Sequence, residues 1–363
     1  MDTKFTGLRG SAERWAIVPV LLLIMLGGSF IKSVISGTVA KETTTANRAR
    51  GFSIFYMMVN IGAFSGKTVV EPLRKSMGSE GLVVLNYFAA AVTLLAFIII
   101  LFLYKSNKTA GEGKSLSDVW KGLIKVLSNG RLLVLILIIS GFWLVQGQMY
   151  STMPKYVLRM AGEGATPGWY ANVNPLIVVI FVGLITHLMR KRKAITSMIV
   201  GMCLLPLSAF LMASGNMVGN GLILGMHPIA FMMVAGIAVQ GLAETFISPR
   251  YLEYFSLQAP KGEEGLYLGF SHLHSFFSWL IAFAMSGHLL ERYCPDPENF
   301  ASHAEWAEAA QHAHYIWFVF VGVAIVSVIA LVIYGKVVKP QKLETADIDK
   351  DNFEDKLIEG EEA

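Results

Sequence analysis

The chain has 363 residues, of which 54% are hydrophobic and 15% charged, with a formal net charge of +4. A water-soluble domain carries about 25% charged residues, so the composition excludes a soluble enzyme and reads as an all-α polytopic membrane protein. The small basic excess lies in loops and excludes a nucleic-acid surface, and the two cysteines, Cys203 and Cys294, make neither a disulfide framework nor a metal site.

Met1 to Arg14 is polar and lacks the apolar core and small-residue cleavage site of a signal peptide. The first span would itself direct insertion. A helix needs roughly 20 apolar residues to cross a bilayer. Nine stretches meet that need, near 15–40, 51–72, 81–104, 131–153, 168–189, 194–214, 222–248, 266–290 and 313–338.

Span one contains Gly27-Gly-Ser-Phe-Ile-Lys32. An ionisable side chain within a span is costly and points to function. Lys32 either faces a polar cavity or snorkels to headgroups. Span two carries Asn60 amid apolar residues, with Gly62 and Gly66 as a Gly-x-x-x-Gly. Lipid offers an amide no partner, so Asn60 is expected to face protein or a wet cavity. The glycines would let a neighbouring helix approach closely. Lys67 and Glu71, four apart near the outer face, read as a local pair or a gate.

Residues 105–130 form the longest loop on the basic side and separate three spans from six. Ser115 to Ser128 reads as an amphipathic surface helix with a capping serine. Gly113-Lys114-Ser115 is not a phosphate loop, because Lys108 stands where its first glycine would be.

Span four holds Trp143, Gln146, Gln148 and Tyr150, and span five begins with Trp169, Tyr170, Asn172 and Asn174-Pro175. Asn60, Asn174, Gln146 and Trp143 together resemble the lining of a polar site in an apolar bundle. Span seven ends in Glu244-Thr-Phe-Ile-Ser-Pro249-Arg250. A carboxylate in low dielectric is a candidate proton site. The alternative is an interfacial cap pairing with Arg250. His272 and His274 are two apart, so on one helix they would face different directions.

Basic residues assign the sides. Lys41, Arg48 and Arg50, then Lys105 to Arg131, Arg190 to Lys193, and Lys336, Lys339 and Lys342 share one face, expected to be cytoplasmic. Asp296, Glu298, Glu305 and Glu308 fall on the other. Glu344 to Ala363 carries nine acids and reads as a disordered cytoplasmic tail. The organisation expected is a three-span bundle (1–104), a linker (105–130), a six-span bundle (131–338) and the tail (339–363).

Phe52-Ser-Ile-Phe-Tyr-Met-Met-Val-Asn60-Ile-Gly62-Ala-Phe64 resembles the fifth-helix signature of the proton-coupled oligopeptide transporters, a branch of the major facilitator superfamily. Gly28-Ser-Phe-Ile-Lys32 is similar to that family's fourth helix, Asn174-Pro175-Leu to its eighth, and Glu244 with Ser248-Pro249 to its tenth. The resemblance implies a major-facilitator-type helix bundle and proton-coupled symport of peptides or similar zwitterions by alternating access. It assigns Lys32 to the substrate carboxylate and proton coupling, Asn60 and Asn174 to substrate, and Glu244 to the peptide amino end and proton coupling. Trp143 and Gln146 join as lining. No cofactor is implied; the partners are a small solute, protons and the lipid bilayer, and the setting a multi-pass cell membrane, bacterial inner membrane by preference.

Two departures accompany the likeness. The chain begins near the family's fourth helix and lacks its Glu-x-x-Glu-Arg motif near the start, and Gly147 stands where the seventh-helix glutamate would be. Three spans alone would expose Lys32 and Asn60 to lipid, which calls for a partner chain, an oligomer or a start of the sequence other than Met1. The rival functions are a transport-inactive permease or subunit, and a permease for a sugar or drug-like cation.

Overall fold

The computed structural model describes residues 15, 17–44, 46–77, 81–105, 115–162, 164–219, 221–260 and 263–338. The polar N-terminal segment and the acidic tail lie outside them, as do the side chains of Lys32 and Glu71. The described residues form helices throughout, with no strand. They are α1 (Ile17–Lys41), α2 (Arg48–Met77), α3 (Gly81–Leu103), α4 (Leu116–Ser128), α5 (Gly130–Ser151), α6 (Met153–Ala161), α7 (Pro167–Met189), α8 (Ala194–Ser214), α9 (Pro228–Gln258), α10 (Glu264–Ser271), α11 (Leu273–Tyr293), α12 (His303–Ala309) and α13 (Tyr315–Val337).

Among the described residues seven segments are long and apolar enough to cross a membrane: α3, α5, α7, α8, α9, α10 with α11, and α13. The other two expected spans exist as long helices but are more polar. In α1 the apolar run stops at Gly28, and α2 carries Arg48, Arg50, Lys67, Glu71, Arg74 and Lys75. Span seven begins later than its apolar residues imply. Leu222, Ile223 and Leu224 lie in a turn closed by an Ile223–Met226 bridge, with Gly219 and Gly225 at φ of 92° and 79°. His227 then caps α9, accepting from the Ile229 N–H, and Pro228 takes the first helical position, where its missing N–H costs nothing. The helix continues through Pro249 to Gln258. Glu244 therefore sits well inside it and not at its end.

The core lies among α5, α7, α8, α9, α11 and α13. Small residues set the distances. A Cβ on Gly201 of α8 would stand 2.6 Å from the Ala243 carbonyl oxygen and 2.7 Å from Phe246 Cβ. Hydroxyls tie the same pair of helices: Ser197 donates to the Phe246 carbonyl and Ser208 to that of Gly236, both at 2.8 Å. This is the small-residue and hydroxyl packing of membrane bundles.

α2 meets α7 and α9 with one face. Ser53, Tyr56, Asn60, Lys67 and Thr68 fall on that side of its 3.6-residue turn, and Gly62 and Gly66 on the opposite side. Nothing described lies within 4 Å of a Cβ built on either glycine. The Gly-x-x-x-Gly thus receives no neighbouring helix among the described residues, because α2 reaches the bundle with its polar face. At the end bearing the basic loops, α1 crosses α10 at Gly37 and Gly265, where a Cβ on Gly37 would stand 3.1 Å from the Gly265 Cα. No residue in the apolar stretch of α3 is buried.

α4 forms with its expected cap. Ser115 Oγ accepts from the Asp118 N–H at 3.2 Å, and Asp118 Oδ2 accepts from the Ser115 N–H, also at 3.2 Å. Gly122 packs under Leu266 of α10, and Lys125 lies 3.5 Å from Glu263.

On the opposite side, Arg159 of α6 holds the acidic loop. Its Nη1 donates to the Cys294 carbonyl and its Nη2 meets Asp296 Oδ2, both at 2.6 Å. Burial raises the Asp296 pKa, but the Glu298 N–H and Arg159 together outweigh it, so the carboxyl stays below its ordinary value. A depressed pKa stabilises the fold above the unfolded value, about 3.9, and the benefit vanishes as pH falls through the folded one. Thermal melts of the purified protein should therefore lose a component below pH about 4. Asp296→Asn should lower the melt slightly at pH about 7, where the contribution is present, and leave it little changed below pH about 3, where the acid is already neutral.

Candidate functional site

The site forms around Glu244. Close approach of α7 and α9 makes this possible, since Gly241 lies under the Asn174 backbone; a Cβ there would stand 2.9 Å from the Asn174 carbonyl oxygen. One turn further along α9, Glu244 is 3% exposed. Three helices supply its donors. Gln146 of α5 donates to Oε2 at 2.6 Å, Asn174 of α7 donates to Oε2 at 3.0 Å, and the Tyr56 hydroxyl of α2 donates to Oε1. A buried carboxylate is expensive unless hydrogen-bonded, and bonds to a charged group contribute about 1.5–3 kcal/mol each.

Arg250 is not its partner. That guanidinium pairs with Glu253 at 2.7 Å and donates to the Arg192 carbonyl, which fastens the loop between α7 and α8. The cap alternative for Glu244 is thereby overturned.

The other candidates separate. Gln146 and Asn174 both bind Glu244. Asn60 is buried on the same face of α2 as Tyr56, but its amide donates to the Tyr56 carbonyl at 2.9 Å and not to the acid. Trp143, one turn before Gln146 on α5, faces α11. It stacks on His274 of α11, ring centroids 5.3 Å apart, and His274 in turn meets Tyr251 edge-on at 5.2 Å. Lys32 belongs to α1, with its side chain outside the described residues. The chain turns between α10 and α11, so the His272 and His274 rings approach to 5.8 Å and do not diverge as on one continuous helix.

Two features were not anticipated. Tyr56 supplies the acid's third donor; an aromatic within an apolar run gives no signal of that. Lys67 crosses to α5, where its ammonium donates to the Tyr150 hydroxyl at 2.7 Å. Further polar ties join α2 to α7: Asn172 donates to Thr68 Oγ1 at 2.9 Å, and Ser53 to the Val182 carbonyl at 3.4 Å. Among the described residues several buried amide atoms carry no hydrogen bond: Gln146 Oε1, Asn172 Oδ1, and both Oε1 and Nε2 of Gln240, one turn before Glu244. The described residues hold no cluster of three metal-ligating side chains.

Similarity to known proteins follows this geometry. Residues 124–294 match the family model described as PTR2, POT family. The match runs from α4 through α11 and includes Gln146, Asn174 and Glu244, whereas Tyr56, Asn60 and Lys32 precede it. The chain is also 23% identical over 204 residues to Multidrug resistance protein MdtH of Photorhabdus laumondii subsp. laumondii, covering 55% of this chain and 48% of that protein. To Multidrug resistance protein MdtH of Aeromonas hydrophila subsp. hydrophila it is 24% identical over 249 residues, 68% of this chain and 58% of that one. The chain spans about half the length of these curated relatives. Its likeness is to a transporter family and not to an enzyme.

Proposed function

We propose that the protein is a solute transporter in which a small zwitterion, such as a short peptide, moves with protons by alternating access. The observation that carries this reading is Glu244, buried among donors from α2, α5 and α7. Ionised, its oxygens only accept, and all three donors are satisfied. Protonated, one oxygen must donate, and the N–H groups of Gln146 and Asn174 have less to bind. Proton uptake therefore weakens the acid's links from α9 to α5 and α7 when Oε2 is protonated, and its link to the Tyr56 hydroxyl of α2 when Oε1 is protonated. That gives the two states different proton affinities, which is what coupling requires. Residues 1–104 and 131–338 are the two bodies that would rock, with 105–130 as linker, and the basic loops and C-terminus on the cytoplasmic side of a bacterial inner membrane. Glu244 is the proposed proton carrier, and Gln146, Asn174, Asn60, Trp143 and Lys32 the proposed solute contacts.

The test is reconstitution of the full chain into liposomes and uptake of labelled dialanine. An inward proton gradient should accelerate uptake, and collapsing it with a protonophore should abolish the acceleration. Absence of any gradient effect would sink the coupling. Tyr56→Phe keeps the ring and removes one donor to the acid. It should slow gradient-driven uptake about tenfold, the worth of one hydrogen bond to a charged group.

A second reading is movement of a drug-like cation. The buried acid and the likeness to proteins named for multidrug resistance favour it. Exchange of a cationic dye against protons in the same liposomes, with no effect on dialanine, would select it.

A further inference from the structure

We propose that α4 is a membrane-surface helix that seats its exposed apolar face among the anionic phospholipids of the leaflet on the basic side. Val119, Trp120, Ile124 and Leu127 fall within an arc of about 140° on this helix. All four are exposed, Trp120 at 64% and Ile124 at 50%. A neighbouring edge holds α4 to the protein. There Gly122 packs under Leu266 of α10, and Val126 is fully buried. The exposed apolar arc takes no part in that attachment. Lys121 and Lys125 lie outside the arc and are also exposed.

Position and charge select the lipid. Asn129 alone joins α4 to α5, a helix long and apolar enough to cross the membrane. It ends α4 with ψ of 91°, and its side chain caps α5 by accepting from the Leu132 N–H. Leu127 lies three residues from Gly130, at most about 11 Å along the chain, which keeps this end of α4 at the membrane surface. Water is a poor neighbour for four large apolar side chains, and hydrocarbon is a poor one for lysine. The headgroup boundary accepts both, with the apolar face sunk and the lysine stems reaching back to phosphates. Tryptophan favours the same level. Residues 105–131 hold six basic residues against Glu112 and Asp118, so the complementary surface is anionic. Lys125 meets Glu263 at 3.5 Å, whereas Lys121 lies 3.9 Å from Asp118 with its side chain 75% exposed. Lys121 is therefore the headgroup contact.

The experiment places single nitroxide labels on the full chain, through Ile124→Cys, Leu127→Cys or Lys125→Cys, with the exposed Cys203 replaced by serine. Each protein is reconstituted in phosphatidylcholine vesicles with and without phosphatidylglycerol. Collisions with oxygen, which enters lipid, are compared with those of a neutral nickel chelate, which stays in water. Oxygen should dominate at 124 and 127, and nickel at 125. Phosphatidylglycerol should lower nickel collisions at 124 about fivefold, the attraction of one lysine to such a surface. Lys121→Gln should cancel that drop. All the substituted positions on α4 are exposed, so these variants should fold. Nickel dominating at all three positions overturns the docking and leaves α4 in water. Labels at 124 and 127 shielded from both reagents also overturn it, and place a protein face, such as a second copy, on the arc. An equal response with and without phosphatidylglycerol overturns the preference for anionic lipid.

Discussion

Glu244→Gln should abolish acceleration of uptake by a proton gradient while leaving the protein folded. Glutamine keeps the shape and one acceptor oxygen, so either Tyr56 or the two amides can still be bound. It has no proton to exchange. The expected result is a hundredfold or greater loss of gradient-driven uptake, about 2.7 kcal/mol or more, with exchange of unlabelled for labelled solute retained. Glu244→Ala is harsher. It leaves the Gln146, Asn174 and Tyr56 donors buried without their acceptor, at about 1–3 kcal/mol each before relaxation. Its melting temperature should fall well below that of Glu244→Gln. If both variants lose equal stability and Glu244→Gln keeps its response to the gradient, the acid is structural and the proton travels elsewhere.

Gly201→Leu should prevent the bundle from forming. Its Cβ would meet the Ala243 carbonyl oxygen and Phe246 Cβ at distances no real pair adopts, and backbone cannot rotate away as a side chain can. Overpacking of this kind costs about 1–3 kcal/mol for single methylenes and more for a branched side chain. The Ser197 and Ser208 bonds across the same interface would lengthen with it. Gly62→Ala is the control. Nothing lies within 4 Å of its Cβ, so it should be neutral or gain up to about 1 kcal/mol of helix propensity. Melting in detergent, followed by the loss of the monodisperse peak, separates the two. A Gly201→Leu protein that melts like the parent would contradict the packing of α8 on α9.

Most of the site's polar members could be read from the chain because an acid or amide in an apolar span has no cheap explanation. Glu244, Gln146 and Asn174 announce themselves in that way. Tyr56 does not, since a buried tyrosine needs no partner to justify its ring and its hydroxyl is found only once α2 and α9 are side by side. Lys67 invites pairing with Glu71, four residues on, because local spacing is visible in sequence and the neighbourhood of Tyr150 is not. Trp143 and Asn60 lie in suitable spans, but rotation about the helix axis sends one to His274 and turns the other's amide to its own backbone. Helix limits failed where composition and turn chemistry disagree. Leu222 to Leu224 are apolar, yet the glycines around them and His227-Pro228 set the start of α9. The break after Ser271 has no glycine or proline to mark it.

The crossing of α1 over α10 at Gly37 and Gly265 is a seal without side chains. At the crossing point itself no side chain must change rotamer for the two glycines to part. The tight, hydroxyl-stitched packing of α8 on α9 behaves oppositely and would move as one piece. Opening speed would then be governed by the polar ties of α2, those of Ser53, Tyr56, Lys67 and Thr68, and would respond to their removal one by one. Enlarging Gly37 to valine would jam the crossing from the other direction and hold the basic-loop end ajar.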